Sequence, residues 1–152
     1  MAAARIFQLN VSPGGVPKRA VAHADLTPLG LAGDSVKDTR HHGGPDRALC
    51  LYALERILAL QEEGATIFPG AIGENVTTVG LDWGRVVPGA RMSLGPATIE
   101  ITKYAVPCKI TSPFVGGNVK LYAQDHRPGW SRVYARVLQE GRLEPGQRIE
   151  LL

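Results

Sequence analysis

Eighteen glycines and eleven prolines cut this 152-residue chain into short pieces, and no other feature limits its fold so tightly. Inside a helix, glycine costs about 1 and proline about 3 kcal/mol relative to alanine, so long helices cannot dominate a chain broken this often. Between the breaks lie apolar runs of roughly four to eight residues, the length of a strand. The candidate strands are RIFQLNV, RAVAHADL, RALCLYA, NVTTVGL, RMSLG, TIEITKY, RVYARVL and RIELL. Two of them are launched by the same Pro-Gly turn, in VVPGARMSL and LEPGQRIEL, which predicts neighbouring turns of one barrel or rolled sheet. The expected class is mainly β: a compact barrel, mostly antiparallel, with a few short helices. The clearest helix is ALERILALQEEG, where Leu54, Ile57, Leu58 and Gln61 share a face and Gly64 stands at the C-terminal cap. After Cys108, Pro113 and the Gly116-Gly117 pair permit only short helical pieces, one of them NVKLYAQ.

A hydrophobic fraction of 44% suits one globular domain over residues 1–152, with no linker or repeat to divide it. MAAARIFQLN has no basic leader or long apolar run, and no window approaches the ~18 apolar residues of a membrane span. The expectation is a soluble cytoplasmic protein. A net charge of +3, with lysine and arginine dispersed, demands neither nucleic acid nor membrane and suits a small anionic ligand. Two cysteines cannot frame a domain of this size, so Cys50 and Cys108 are expected to be free thiols.

Chemistry concentrates in three places. In RHHGGPDRALC, the paired Gly43 and Gly44 allow a tight turn whose amides can cradle an anion, with Arg40, His41, His42 and Arg47 supplying donors. Neighbouring histidines on an extended segment point to opposite faces, and their spacing does not suit a zinc site. Asp46 reads as a turn residue paired with Arg47. In YAVPCKI, a strand ends at Pro107 and a thiol follows beside Lys109. Near a cation, and at a helix start, such a thiol has a depressed pKa and exists partly as thiolate. Cys50, inside the apolar run ALCLY, reads as an inert core residue. In PGWSRVYARVL, Arg132, Tyr134 and Arg136 fall on one strand face, either presenting an arginine fork to a phosphate or lying on a solvated edge strand.

Taken in order, RHHGGPDRALC, GENVT after FPGAIGEN, the strand ending in Pro-Cys, and the C-terminal RVL..G.L.PGQRI resemble the MOSC domain family, named for the C-terminal domain of molybdenum cofactor sulfurases. The resemblance is strongest over residues 25–152 and closest to short stand-alone bacterial members. It implies a MOSC-type β-barrel with a groove for a molybdopterin-type molybdenum cofactor. Cys108 maps to the catalytic cysteine that ligates molybdenum. Arg40, His41, His42, Gly43, Gly44, Asp46, Arg47, Glu74 and Asn75 map to the groove, and Arg132 to a further cofactor contact. Relatives often carry Gly-Trp-Tyr before the Arg-Val-Leu strand, whereas here Ser131, Arg132 and Val133 separate Trp130 from Tyr134.

The resemblance further implies an oxidoreductase that reduces N-hydroxylated small molecules. Its electrons would come from a separate ferredoxin-like or flavoprotein donor, since the chain shows no flavin, nicotinamide or iron-sulfur motif. No pyridoxal phosphate is expected on this chain. Two other roles stay open at this point: a sulfur carrier that takes a persulfide on Cys108 from a sulfur donor, and a non-catalytic cofactor-binding module.

Overall fold

Seven of the eight apolar runs each become one strand in the computed structural model, which describes residues 3–35 and 43–152. The elements are β1 (Arg5–Val11), β2 (Arg19–Val21), β3 (Ala24–Thr27), β4 (Gly30–Leu31), β5 (Leu49–Ala53), α1 (Leu54–Glu62), β6 (Val76–Val79), β7 (Arg91–Leu94), β8 (Ala97–Tyr104), β9 (Val133–Gln139), β10 (Gly141–Leu143) and β11 (Ile149–Leu151). An eight-stranded sheet runs β11-β7-β8-β9-β5-β6-β1-β2, and a three-stranded sheet runs β10-β3-β4. RAVAHADL does not form one strand: the chain leaves the large sheet after Val21 and joins the small one at Ala24.

Among the named strands, pairing is antiparallel except between β5 and β6, where Leu51 lies beside Val76 and Tyr52 beside Thr77. A parallel neighbour needs a crossover, and the segment containing α1 supplies it. The expected barrel is corrected by the strand order. No closed barrel is found among the described residues, although the sheet rolls far enough to bring the approach to β11 against β1. There the Ile6 amide donates to the Gln147 carbonyl at 2.9 Å, and the Ile149 amide donates to the Ala4 carbonyl at 2.9 Å. The outer edge of β1 is shared: Leu9 to Val11 pair with β2, which leaves its first residues for the returning segment and a single bridge, Arg5 with Arg148.

The packed face of α1 is also corrected. Ile57 and Leu60 are buried, Leu58 is half exposed, and Gln61 turns outward to donate to the Ile67 carbonyl at 2.9 Å. The helix begins directly after Ala53, so its rotation is set by the strand it leaves rather than by its own apolar stripe. Its end is as expected: Gly64, at φ +99°, donates to the Gln61 carbonyl and Ala65 to the Leu60 carbonyl, each at 3.0 Å, the paired bonds of a Schellman end. Past Cys108 the chain makes two short 3-10 helices, Lys109–Val115 and Val119–Tyr122.

The core gathers Ile6, Leu9, Leu49, Leu51, Tyr52, Ile57, Leu60, Ile72, Met92, Ile99 and Ile101, all buried. Strand β9 lies inside the sheet between β8 and β5, which removes the edge-strand reading of Arg132 to Arg136. No helix of the described residues is long and apolar enough to cross a membrane.

Candidate functional site

Strands β5 and β9 place Cys50 opposite Tyr134, and with Ala105 these residues form a small apolar cluster apart from the main core. Above it opens a cavity of about 1000 Å³, and Gly43, Gly44, Arg47, Asn75, Cys108 and Arg132 line it. The size fits a ligand larger than a simple metabolite, since pockets for drug-sized molecules span roughly 300–1,000 Å³.

Cys108 is half buried on this wall. Its carbonyl accepts from the Thr111 amide at 3.2 Å and the Thr111 hydroxyl at 2.9 Å. That same hydroxyl bonds the Tyr122 hydroxyl, so the turn that carries the thiol is tied down on two sides. Across the cavity Gly43 and Gly44 have φ of +80° and +84°, a conformation natural to glycine. Arg47 closes the turn by donating from Nε to the Gly43 carbonyl at 3.2 Å.

Arg132, the residue before β9, is buried at 4% exposure. One terminal nitrogen donates to the Ile72 carbonyl at 2.8 Å, the other to the Val106 carbonyl at 3.3 Å, and its Nε has no protein acceptor. An unpaired buried guanidinium N–H is costly. The side chain as a whole lines the cavity, while this nitrogen itself is closed off from solvent.

Other candidate residues fall elsewhere. Asp46 lies outside the cavity lining, 71% exposed, and pairs with Arg136 Nε at 3.2 Å rather than with Arg47. Glu74 is wholly buried behind the wall: one oxygen accepts from the Gly70 amide and the Thr77 hydroxyl, both at 3.0 Å, and the other has no protein donor. Burial pushes its pKa up to about 7. Asn75 does face the cavity, accepting from the Cys50 amide at 3.0 Å and donating to Asp34 at 2.8 Å. Arg40, His41 and His42 lie outside the described residues.

Three lining groups escaped the sequence reading. Lys18 and Asp34 form an ion pair at 2.7 Å, almost buried, and Asp34 also accepts from the Ser12 amide. Nothing in their spacing announces it. Cys50 faces the cavity although it is only 5% exposed, and burial pushes its pKa up to about 11. Its place in an unbroken apolar run gave no sign of a cavity face.

A model of the MOSC domain matches residues 38–150. The chain belongs to the MOSC domain family. It is 34% identical over 122 residues to the uncharacterized protein YflK of Bacillus subtilis, and 33% identical over 133 residues to protein YiiM of Escherichia coli. These alignments cover 79% and 84% of this chain, which spans 54% and 58% of the length of those two MOSC relatives. Among solved structures, YiiM from Geobacillus stearothermophilus superposes with a TM-score of 0.75 at 26% identity, covering 98% of this chain and 75% of the other. The Bacillus subtilis protein YUAD shares the fold, with a TM-score of 0.74 at 19% identity, covering 99% of this chain and 96% of the other.

Proposed function

We propose that this MOSC chain binds a molybdopterin-type molybdenum cofactor in the cavity, with Cys108 as the protein ligand to molybdenum, and serves as the substrate-reducing component of an oxidoreductase for N-hydroxylated compounds. The observation that carries the proposal is the meeting of a half-buried thiol and a buried arginine on the walls of one large cavity.

The residues present fit such a group. A thiolate is a soft ligand for a sulfur-rich metal centre. Among the described residues no group of three or more His, Cys, Asp or Glu side chains gathers to hold a metal ion. Arg132 and Arg47, with the turn at Gly43 and Gly44, would hold the anionic part of the cofactor. When bound, the cofactor supplies the two-electron redox centre for removing oxygen from nitrogen.

The chain's own residues perform three tasks. Cys108 is held in place by the bonds to its carbonyl from Thr111. Arg132 holds a positive charge at a fixed position on the wall, since its terminal nitrogens are committed to Ile72 and Val106. The Lys18–Asp34 pair and Asn75 stiffen the opposite wall. Turning an N–OH into an N–H consumes two electrons and two protons and releases one water, the electrons coming from a separate donor protein.

Protein made in a host that synthesises the cofactor tests this. Near-stoichiometric molybdenum, lost in Cys108→Ala without loss of fold by circular dichroism, is the expected result. An undiminished metal content in that variant would overturn the ligand role. A gain of one sulfur atom on Cys108 with no molybdenum would replace this reading with that of a sulfur carrier.

A further inference from the structure

The described residues include four lysines: Lys18, Lys103, Lys109 and Lys120. Lys18 is buried against Asp34. The other three are exposed, and none of them makes an ion pair among the described residues. All three surround the segment that carries Cys108. Lys103 and Lys109 stand at the mouth of the large cavity. Lys120 lies on the far side of the same ridge, in a smaller hollow of about 430 Å³ shared with Val106 and Pro107. His126 and one acid, Asp125, also line that hollow, which leaves the ridge net cationic.

Between the lysines the ridge is apolar and uncovered: Val106 is 78% exposed and Ile110 58%. An apolar centre with a charged rim is the anatomy of a protein interface, and unpaired charges of one sign steer a partner of the other. Among the described residues other exposed cations are mixed: Arg5, Arg19 and Arg85 are in no ion pair either, but they are not gathered around the cavity mouth. Arg91, Arg136, Arg142 and Arg148 are exposed and each within ion-pair distance of an acid.

We infer that the Val106–Ile110 ridge, with Lys103, Lys109 and Lys120 around it, is the docking surface for an acidic electron-transfer protein, which delivers electrons one at a time beside Cys108. The inference rests on the redox reading above and adds the place and the charge of the partner. Two single-electron deliveries, with two protons from solvent, balance the removal of one oxygen atom as water.

The experiment uses the holoprotein and two acidic probes, a [2Fe–2S] ferredoxin and a flavodoxin, with binding followed by calorimetry. Lys120→Glu, which lies outside the cavity, should raise the Kd about threefold to tenfold. Lys103→Glu and Lys109→Glu should act in the same direction. Arg148→Glu, just before the edge strand β11, should leave the Kd unchanged. Raising salt from about 50 to about 500 mM should weaken binding more than tenfold. Turnover with dithionite needs no docking and should be the same in Lys120→Glu as in the parent. Binding indifferent to salt and to all three lysines, equal weakening by Arg148→Glu, or preference for duplex DNA over both probes would overturn the docking surface while leaving the dithionite reaction intact. Loss of the dithionite reaction in the parent protein would instead overturn the redox reading, whatever the binding shows.

Discussion

Replacing Glu74 by glutamine should remove a pH dependence of stability that this buried carboxyl imposes on the fold. Its pKa rises from the ordinary 4.5 to about 7, because burial outweighs the bonds it accepts from Gly70 and Thr77 and the nearby charge of Arg132. Between those two values the folded protein keeps a proton that the unfolded chain has released. Stability therefore falls as pH rises through that window and levels off above it. At about 1.36 kcal/mol per pH unit, the whole window corresponds to about 3 kcal/mol. Glutamine cannot ionise but retains an acceptor for Gly70 and Thr77, so subtracting the variant's unfolding free energy from the parent's cancels every other titrating group. Urea denaturation at about pH 5 and pH 8 should show that difference falling by about 2 to 3 kcal/mol, the variant gaining on the parent at the higher pH. A difference that is the same at both would show that the carboxyl is not held protonated by its burial, and would refute the reasoning.

Asp34→Ala strips the acceptor from Lys18, Ser12 and Asn75 at once and leaves a nearly buried ammonium unpaired, so it should cost about 3 to 5 kcal/mol in denaturant unfolding. A loss under about 1 kcal/mol would mean that water replaces the carboxylate without penalty. Gly70→Ala drives a Cβ to 2.4 Å from the Lys18 carbonyl oxygen at φ +89° and should cost more than about 2 kcal/mol, whereas Gly44→Ala, at φ +84° but with open space around it, should cost about 1. Equal melting temperatures for the two variants would deny that the close approach matters. With iodoacetamide at about pH 8, Cys108 should alkylate while Cys50, buried and with its pKa pushed up to about 11, stays unmodified by mass spectrometry.

The strands were legible because their signal is local: an apolar run between glycine and proline reads the same wherever it sits in the fold. Strands β4 and β10 were not, being two and three residues long and held by their neighbours rather than by any pattern of their own. The rotation of α1 was hidden for a related reason, since Leu58 looks as apolar as Ile57 until the exit from β5 fixes which of them faces inward. At the site, the Pro-Cys segment and the glycine pair were visible as unusual chemistry in short windows, and they do line one cavity. The Lys18–Asp34 pair joins residues 16 apart across irregular chain, with no periodicity to betray it. Glu74 had the right neighbours in sequence, but its side chain turns behind the wall to serve Gly70 and Thr77.

Arg132 reaches Ile72 on one bank of the cavity and Val106, two residues before the thiol, on the other. A flat, rigid fork thus acts as a strut that sets the gauge between the two banks. Lysine, with one flexible ammonium, cannot brace both at fixed spacing. The aperture beside the sulfur is in this sense written in a single codon, and retuning what the cleft admits would begin there rather than in the loops around it.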